Sequence, residues 1–221
     1  MNTKKLITAT EIILCTALFI FTGYGMYLGS QGQEVFDPLV QEDGLVENLT
    51  ALFLFAASGV SLFRLFEYRK MKKTWWVFTA AMLAILFFFA AGEEISWGQR
   101  IFDIQSGEFF LENNKQAETN LHNLVVGGKN LNKLIFSQLM FIVMITYFVF
   151  SRPIVWKVPA LKNLVNKFRI PLPKTQHIIV MLVVTLMILS IGKVKESELH
   201  ELSFAFVFFL IFLNPAKLDK E

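Results

Sequence analysis

"TWWVFTAAMLAILFFFAAGEEISWGQR", residues 74–100, decides what class of protein this is. From Thr74 to Ala91 no side chain is charged, and the run approaches the ~20 residues that an α-helix needs to cross a hydrocarbon core of about 30 Å. It then stops on two adjacent carboxylates, Glu93 and Glu94, followed by Ser96, Trp97, Gln99 and Arg100. The run reads as a transmembrane helix. The polar residues at its end raise the question of what they face.

The rest of the chain agrees with a membrane setting. Of 221 residues, 54% are hydrophobic and 24 are phenylalanine, and the mean hydropathy is +0.51, richer in apolar residues than soluble domains. Six apolar segments stand out, at 7–29, 44–66, 74–92, 134–151, 177–193 and 196–214. They predict an all-α polytopic bundle of about six transmembrane helices, one integral membrane domain over 1–221 with a polar outer loop at about 93–133. The last two segments are interrupted only by Gly192 and a polar stretch, so whether they form separate spans is open. Lys4 and Lys5 precede the first segment as in a signal peptide, but its length and the ending "TGYGMYLGS" read as a retained anchor. Cys15 is the single cysteine, which excludes an internal disulfide.

Orientation follows from the cations. With the N-terminus inside, fifteen Lys and Arg fall on inner segments and six on outer ones, which predicts N-in/C-in by the positive-inside rule. Trp75, Trp76 and Trp156 then lie at the inner interface and Trp97 at the outer one. The net charge of +3 is explained by this asymmetry, and no nucleic-acid partner is expected. The acids take the opposite side: of 18 Asp and Glu, 14 lie on the outer side or in the outermost helical turns. Acids contribute little to topology, so their gathering needs its own reason.

Four clusters carry it. Asp43 is placed as an N-cap of the second helix, with Glu47 and Asn48 one turn inside. If the third helix continues past Gly92, Glu93, Trp97 and Arg100 share one face, with Glu94 about 100° around the axis. In "ENNKQAETNLHNL", residues 112–124, Glu118 and His122 stand four apart and project together on a helix, among Asn120, Asn123 and further amides. In "KVKESELHELSFAF", Glu201 lies about 7 Å inside a last helix that begins near 196. Each has a plain reading: a helix cap, an interfacial anchor with Arg100 paired to an acid, a solvated loop, a helix first turn. Ionisable groups at a membrane are costly, however, and are functional-site candidates by default.

Brought to one cavity, these groups form an outward-facing acidic site. Glu94, Glu118, His122, Glu47 and Glu201 are then candidate ligands for a divalent metal, Zn, Mn or Fe. Glu93, Glu94, His122 and Arg100 are the catalytic candidates, with a carboxylate activating water and Arg100 holding an anionic group. Trp97, Gln99, Asn120 and Asn123 are the candidate substrate contacts. The expected function is a hydrolase or transferase acting on a lipid or lipid-linked substrate near the outer leaflet of the bilayer. The alternatives are a cation-binding transport, channel or sensor component, or a scaffold docking a partner through the 93–133 loop. A homo-oligomer is compatible with any of them.

"GEEISWGQR" together with "NKQAETNLHNL" resembles the paired signature of an uncharacterised family of multi-pass bacterial membrane proteins, which implies the bacterial inner membrane with acidic loops on the periplasmic side. "EEISWGQRIF" is also distantly similar to the E-E-x-x-x-R motif of the CAAX-protease and bacteriocin-processing family of membrane proteases. That likeness implies paired glutamates, here Glu93 and Glu94, that activate water. The match departs in spacing, with five residues between Glu94 and Arg100 rather than three, and the F-x-x-x-H and H-x-x-x-N elements are missing.

Overall fold

The computed structural model describes residues 3–121, 123–126, 129–130 and 140–216. They form helices and loops, with one two-residue antiparallel ladder. In chain order the helices are α1 (Thr3–Gln31), α2 (Gln33–Phe36), α3 (Leu45–Lys70), α4 (Thr74–Glu94) and α5 (Glu108–Asn113), then the strands Val125–Val126 and Lys129–Asn130. After them come α6 (Met140–Ile145), a π-helical turn Thr146–Phe150, α7 (Ser151–Lys157), α8 (Pro159–Phe168), α9 (Thr175–Leu189) and α10 (Ser197–Leu213).

Among the described residues three helices are long and apolar enough to cross a membrane: Lys5–Gln31, Leu45–Lys70 and Thr74–Glu94. Ile142–Lys157 and Pro159–Phe168 make a fourth candidate as one pair bent by 112°. The bend falls at Val158–Pro159, where proline disfavours helical backbone in the residue before it. The last two apolar segments are separate helices. Between them Gly192 takes a φ of +60°, a left-handed turn that glycine adopts without steric cost.

α10 is the centre of the bundle. Leu199, Leu202, Phe206, Val207, Leu210 and Ile211 are all buried, so a helix apolar on every side finds cover on every side. Leu18 of α1, Val46 of α3, Phe148 and the α9 residues Val184 and Ile188 belong to the same core. Small residues bring α3 and α4 close: Ala57, Ser58, Ala84 and Ala91 are buried, and the Ser58 hydroxyl donates to the Ala84 carbonyl across the pair at 2.8 Å. Close approach through small side chains is how helices associate where lipid supplies no hydrophobic drive between them. Outward, Ile12, Ile20, Phe63, Ile85 and Leu186 are exposed, an apolar surface far beyond what a monomer shows to water.

The two ends of the bundle differ chemically. At one end Gln33 exchanges hydrogen bonds with the Val194 backbone, Lys195 pairs with Glu42 and Arg100 pairs with Asp43. At the other, the Trp76 indole donates to the Asn166 carbonyl at 3.2 Å and Ala216 N–H to the Leu172 carbonyl at 2.8 Å. The acids of the sequence clusters gather at the first end, and Arg64, Arg169 and Lys174 at the second.

Candidate functional site

α4 does not continue past its two glutamates, which corrects the expectation of one helical face carrying Glu93, Trp97 and Arg100. It ends at Glu94, and Ser96 and Trp97 take φ of +46° and +56°. Non-glycine residues in this region cost of order 1–3 kcal/mol and persist only where the surroundings hold them. Here both are held. The Trp97 ring folds back across Gly92, where a Cβ would stand 2.8 Å from two ring atoms, and packs edge-on against Phe89. Its indole N–H donates to Glu93 Oε1 at 2.8 Å. Glycine at 92 is therefore required by the close approach of the ring.

Glu93 is a clamp between helix and loop. It is buried, and while Oε1 takes the Trp97 indole, Oε2 accepts the Leu121 backbone N–H at 2.6 Å. Negative charge is disfavoured at a helix C-terminus by the macrodipole, and these donors answer that cost. Ser96 extends the clamp: its hydroxyl donates to Glu118 Oε2 at 2.5 Å and accepts from the Asn120 amide at 2.8 Å. Arg100 pairs with both Asp43 and Glu118.

The amide-rich segment is not the helix that the Glu118–His122 spacing called for. It is a hydrogen-bonded loop folded back over the helix ends. Asn114 donates to the Asn120 carbonyl and side-chain oxygens, both at 2.9 Å, and accepts from Gln116 N–H. The Asn123 amide donates to Gln116 at 2.6 Å. Gln99 ties the two signature stretches together, donating to Ser106 and accepting Thr119 N–H, both at 2.7 Å. Gln99, Arg100, Asn120 and Asn123, the predicted catalytic and substrate contacts, are thus brought together, and each bonds to another part of the same loop or to Asp43. His122 lies outside the described residues.

Asp43 is not the cap of α3. That position is Gly44, and Asp43 stands before it with φ +57°. Its backbone N–H donates to the Glu47 carboxylate, so Glu47, the third residue of α3, reaches back past the cap to the residue before it.

A second set of acids lies close by. Glu94 is near enough to Glu201, Glu198, Glu47 and Glu93 to feel their charge, and Glu201 likewise feels Glu198 and Glu47. These groups come from the same end of α3, α4 and α10. Unlike Glu93, Glu94 accepts no hydrogen bond from any described side chain. Among the described residues, which leave out His122, no three His, Cys, Asp or Glu form a set that could hold a metal ion. At the rim the Lys195 ammonium donates to Glu42 at 3.0 Å and holds its carboxyl below the usual range.

A further polar cluster lies inside the bundle, around a glutamate that stands alone in the first apolar run. Glu11 on α1, 1% exposed, accepts from His177 Nε2 at 3.1 Å, Asn214 at 2.8 Å and Gln176 at 3.1 Å, with Lys174 at 3.5 Å. His177 Nδ1 accepts the Lys174 backbone N–H, so the ring's proton lies on Nε2, facing Glu11. His177 is wholly buried and sits 166 residues from its partner. A histidine in an apolar run reads as core, and nothing local names the glutamate it meets.

No family model, curated protein or solved structure matches the chain.

Proposed function

We propose that this chain is a six-span protein of the bacterial inner membrane, N-in/C-in, whose acidic end faces the periplasm and binds cations and protons as part of a transport or sensing function. The observation that carries this reading is the placement of Glu47, Glu94, Glu198 and Glu201 at the same end of α3, α4 and α10, helices that pack together. Neighbouring carboxylates do not all ionise together: they share protons or a cation. The signature residues beside them bond to one another. With no ligand cage among the described residues, the fitting occupants are protons and a hydrated divalent ion that keeps most of its waters.

The test is equilibrium titration of the detergent-purified protein with Mn²⁺ and Ca²⁺ between pH 5 and 8. Wild type is expected to bind one ion more tightly as pH rises, because protons compete for the same oxygens. Glu94→Gln with Glu201→Gln is expected to weaken binding at least tenfold. Equal affinity in the double variant, or no binding by wild type anywhere in this range, refutes the reading. The topology has its own check. In a Cys15→Ser background, Lys115→Cys should react with an impermeant maleimide from the periplasmic side, and Lys162→Cys only after the membrane is opened. The reverse pattern would invert the orientation.

A glutamate-dependent hydrolase or transferase acting on a lipid-linked substrate is the second reading. It is favoured by the contrast between two adjacent acids: Glu93 saturated by donors and Glu94 with none from the described residues. Glu94 would be the base and His122 the acid or a ligand for Zn, Mn or Fe. Turnover of a lipid-linked ester or amide, lost in Glu94→Gln while ion binding persists, would select this reading over the first.

A further inference from the structure

We infer that the opposite end of the bundle carries a binding site for a phosphate group, formed by Arg64 and Arg169 across a cavity of about 260 Å³. Arg64 comes from α3 and Arg169 from the left-handed residue that closes α8. Tyr68, Asn166 and Asn214 also line the cavity, with Pro171 and Pro215 among its apolar walls. The volume lies just below the 300–1,000 Å³ of usual ligand pockets, a fit for a phosphate and a small part of its ester.

Charge is the main argument. The two guanidinium groups are close enough to feel each other, and neither has a carboxylate partner among the described residues. Arg64 spends one contact on the Leu213 carbonyl at 3.5 Å, the end of α10 where a cation is favoured by the helix dipole. That accounts for one of its five N–H groups. Arg169 is held by its stack on the Trp76 ring, 5.0 Å from the centroid, and the Trp76 indole is fixed in turn by the Asn166 carbonyl. Two like charges kept beside one cavity repel unless an anion lies between them. Paired guanidinium forks bind phosphate oxygens in a bidentate manner, and the Tyr68 hydroxyl adds a donor on the same wall. Two acids lie close by and both are engaged: Glu67, one turn along α3 from Arg64, pairs with Lys70, and Glu11 accepts from Asn214, which lines the cavity, at 2.8 Å.

The phosphate has two sources, a phospholipid headgroup from the adjoining leaflet or a soluble phosphate compound. Calorimetric titration with inorganic pyrophosphate in detergent tests the second, and native mass spectrometry of retained phosphatidylglycerol tests the first. At least one is expected to show binding in wild type and to fall tenfold or more in Arg64→Gln with Arg169→Gln. Arg169 is exposed, so Arg169→Gln alone leaves the packing intact and is expected to weaken the same signal several-fold. Binding of neither probe by wild type, or equal binding by the double variant with unchanged circular dichroism, overturns the proposal. Binding that appears only after Asp219→Asn with Glu221→Asn overturns it too, since the chain's own tail would then be the native occupant.

Discussion

Replacing Glu11 with alanine is expected to destabilise the protein by about 3–5 kcal/mol, roughly 6–20 °C in the unfolding midpoint measured in detergent. The reason is what remains behind. His177 is wholly buried and keeps its Nε2 proton aimed at Glu11, because Nδ1 is committed to the Lys174 backbone. Asn214, Gln176 and Lys174 lose the same acceptor. Buried donors without acceptors carry their full desolvation cost, and so does a half-buried ammonium left without its counter-charge. Glu11→Gln retains one oxygen and turns an NH₂ toward the donors, so it is expected to fall between wild type and Glu11→Ala. Glu11→Leu combined with His177→Leu should recover only the part of the loss that comes from His177, because Asn214, Gln176 and Lys174 still lack their acceptor. An unchanged midpoint for Glu11→Ala would mean that this network adds nothing to stability.

The same residue shows where reading the sequence ends. The apolar run at 74–91 specifies a spanning helix by length alone, and α3 and α1 follow from the same rule. The polar stretches at 93–100 and 112–124 are legible as belonging together, because acids and amides at a membrane surface need partners. Their geometry is not. Helical spacing put Glu93, Trp97 and Arg100 on one face and Glu118 beside His122, whereas the chain turns left-handed at Ser96 and Trp97 and runs on as a loop. Such turns are stabilised by side chains from distant positions, and no local period encodes them. α10 was as hard to read: its composition resembles the other apolar segments, and only packing makes it the central helix. Arg64 and Arg169 counted in the sequence as inner-side charges, and their closeness across a cavity depends on how α3 and α8 meet. Glu11 and His177 are the extreme case, a pair joined only by the fold.

Gly92→Ala separates two opposed expectations, and the sign of the result decides between them. Alanine in place of glycine inside a helix ordinarily gains about 0.8–1.0 kcal/mol. At position 92 the new Cβ would stand 2.8 Å from Cε3 and Cζ3 of Trp97 and 3.0 Å from Cδ2. The ring cannot yield freely: it packs on Phe89, and its indole holds Glu93. Forcing it aside costs about 1–3 kcal/mol as overpacking and about 1.5–3 kcal/mol for a hydrogen bond to a charged group. A net loss of about 1.5–5 kcal/mol is expected once the propensity gain is subtracted. The loss should be local as well as global, because Glu93 also holds Leu121. Hydrogen exchange should quicken across residues 95–126, and tryptophan emission should move to the red. Gly59→Ala on α3 is the control, with nothing within 4 Å of its Cβ, and it should stabilise. Gly92→Ala with Trp97→Ala removes the clash, so the added alanine should cost nothing beyond Trp97→Ala alone. Stabilisation by Gly92→Ala in the otherwise native chain would show that the Trp97 ring does not lie across α4, and that the clamp between Glu93 and the loop is made some other way.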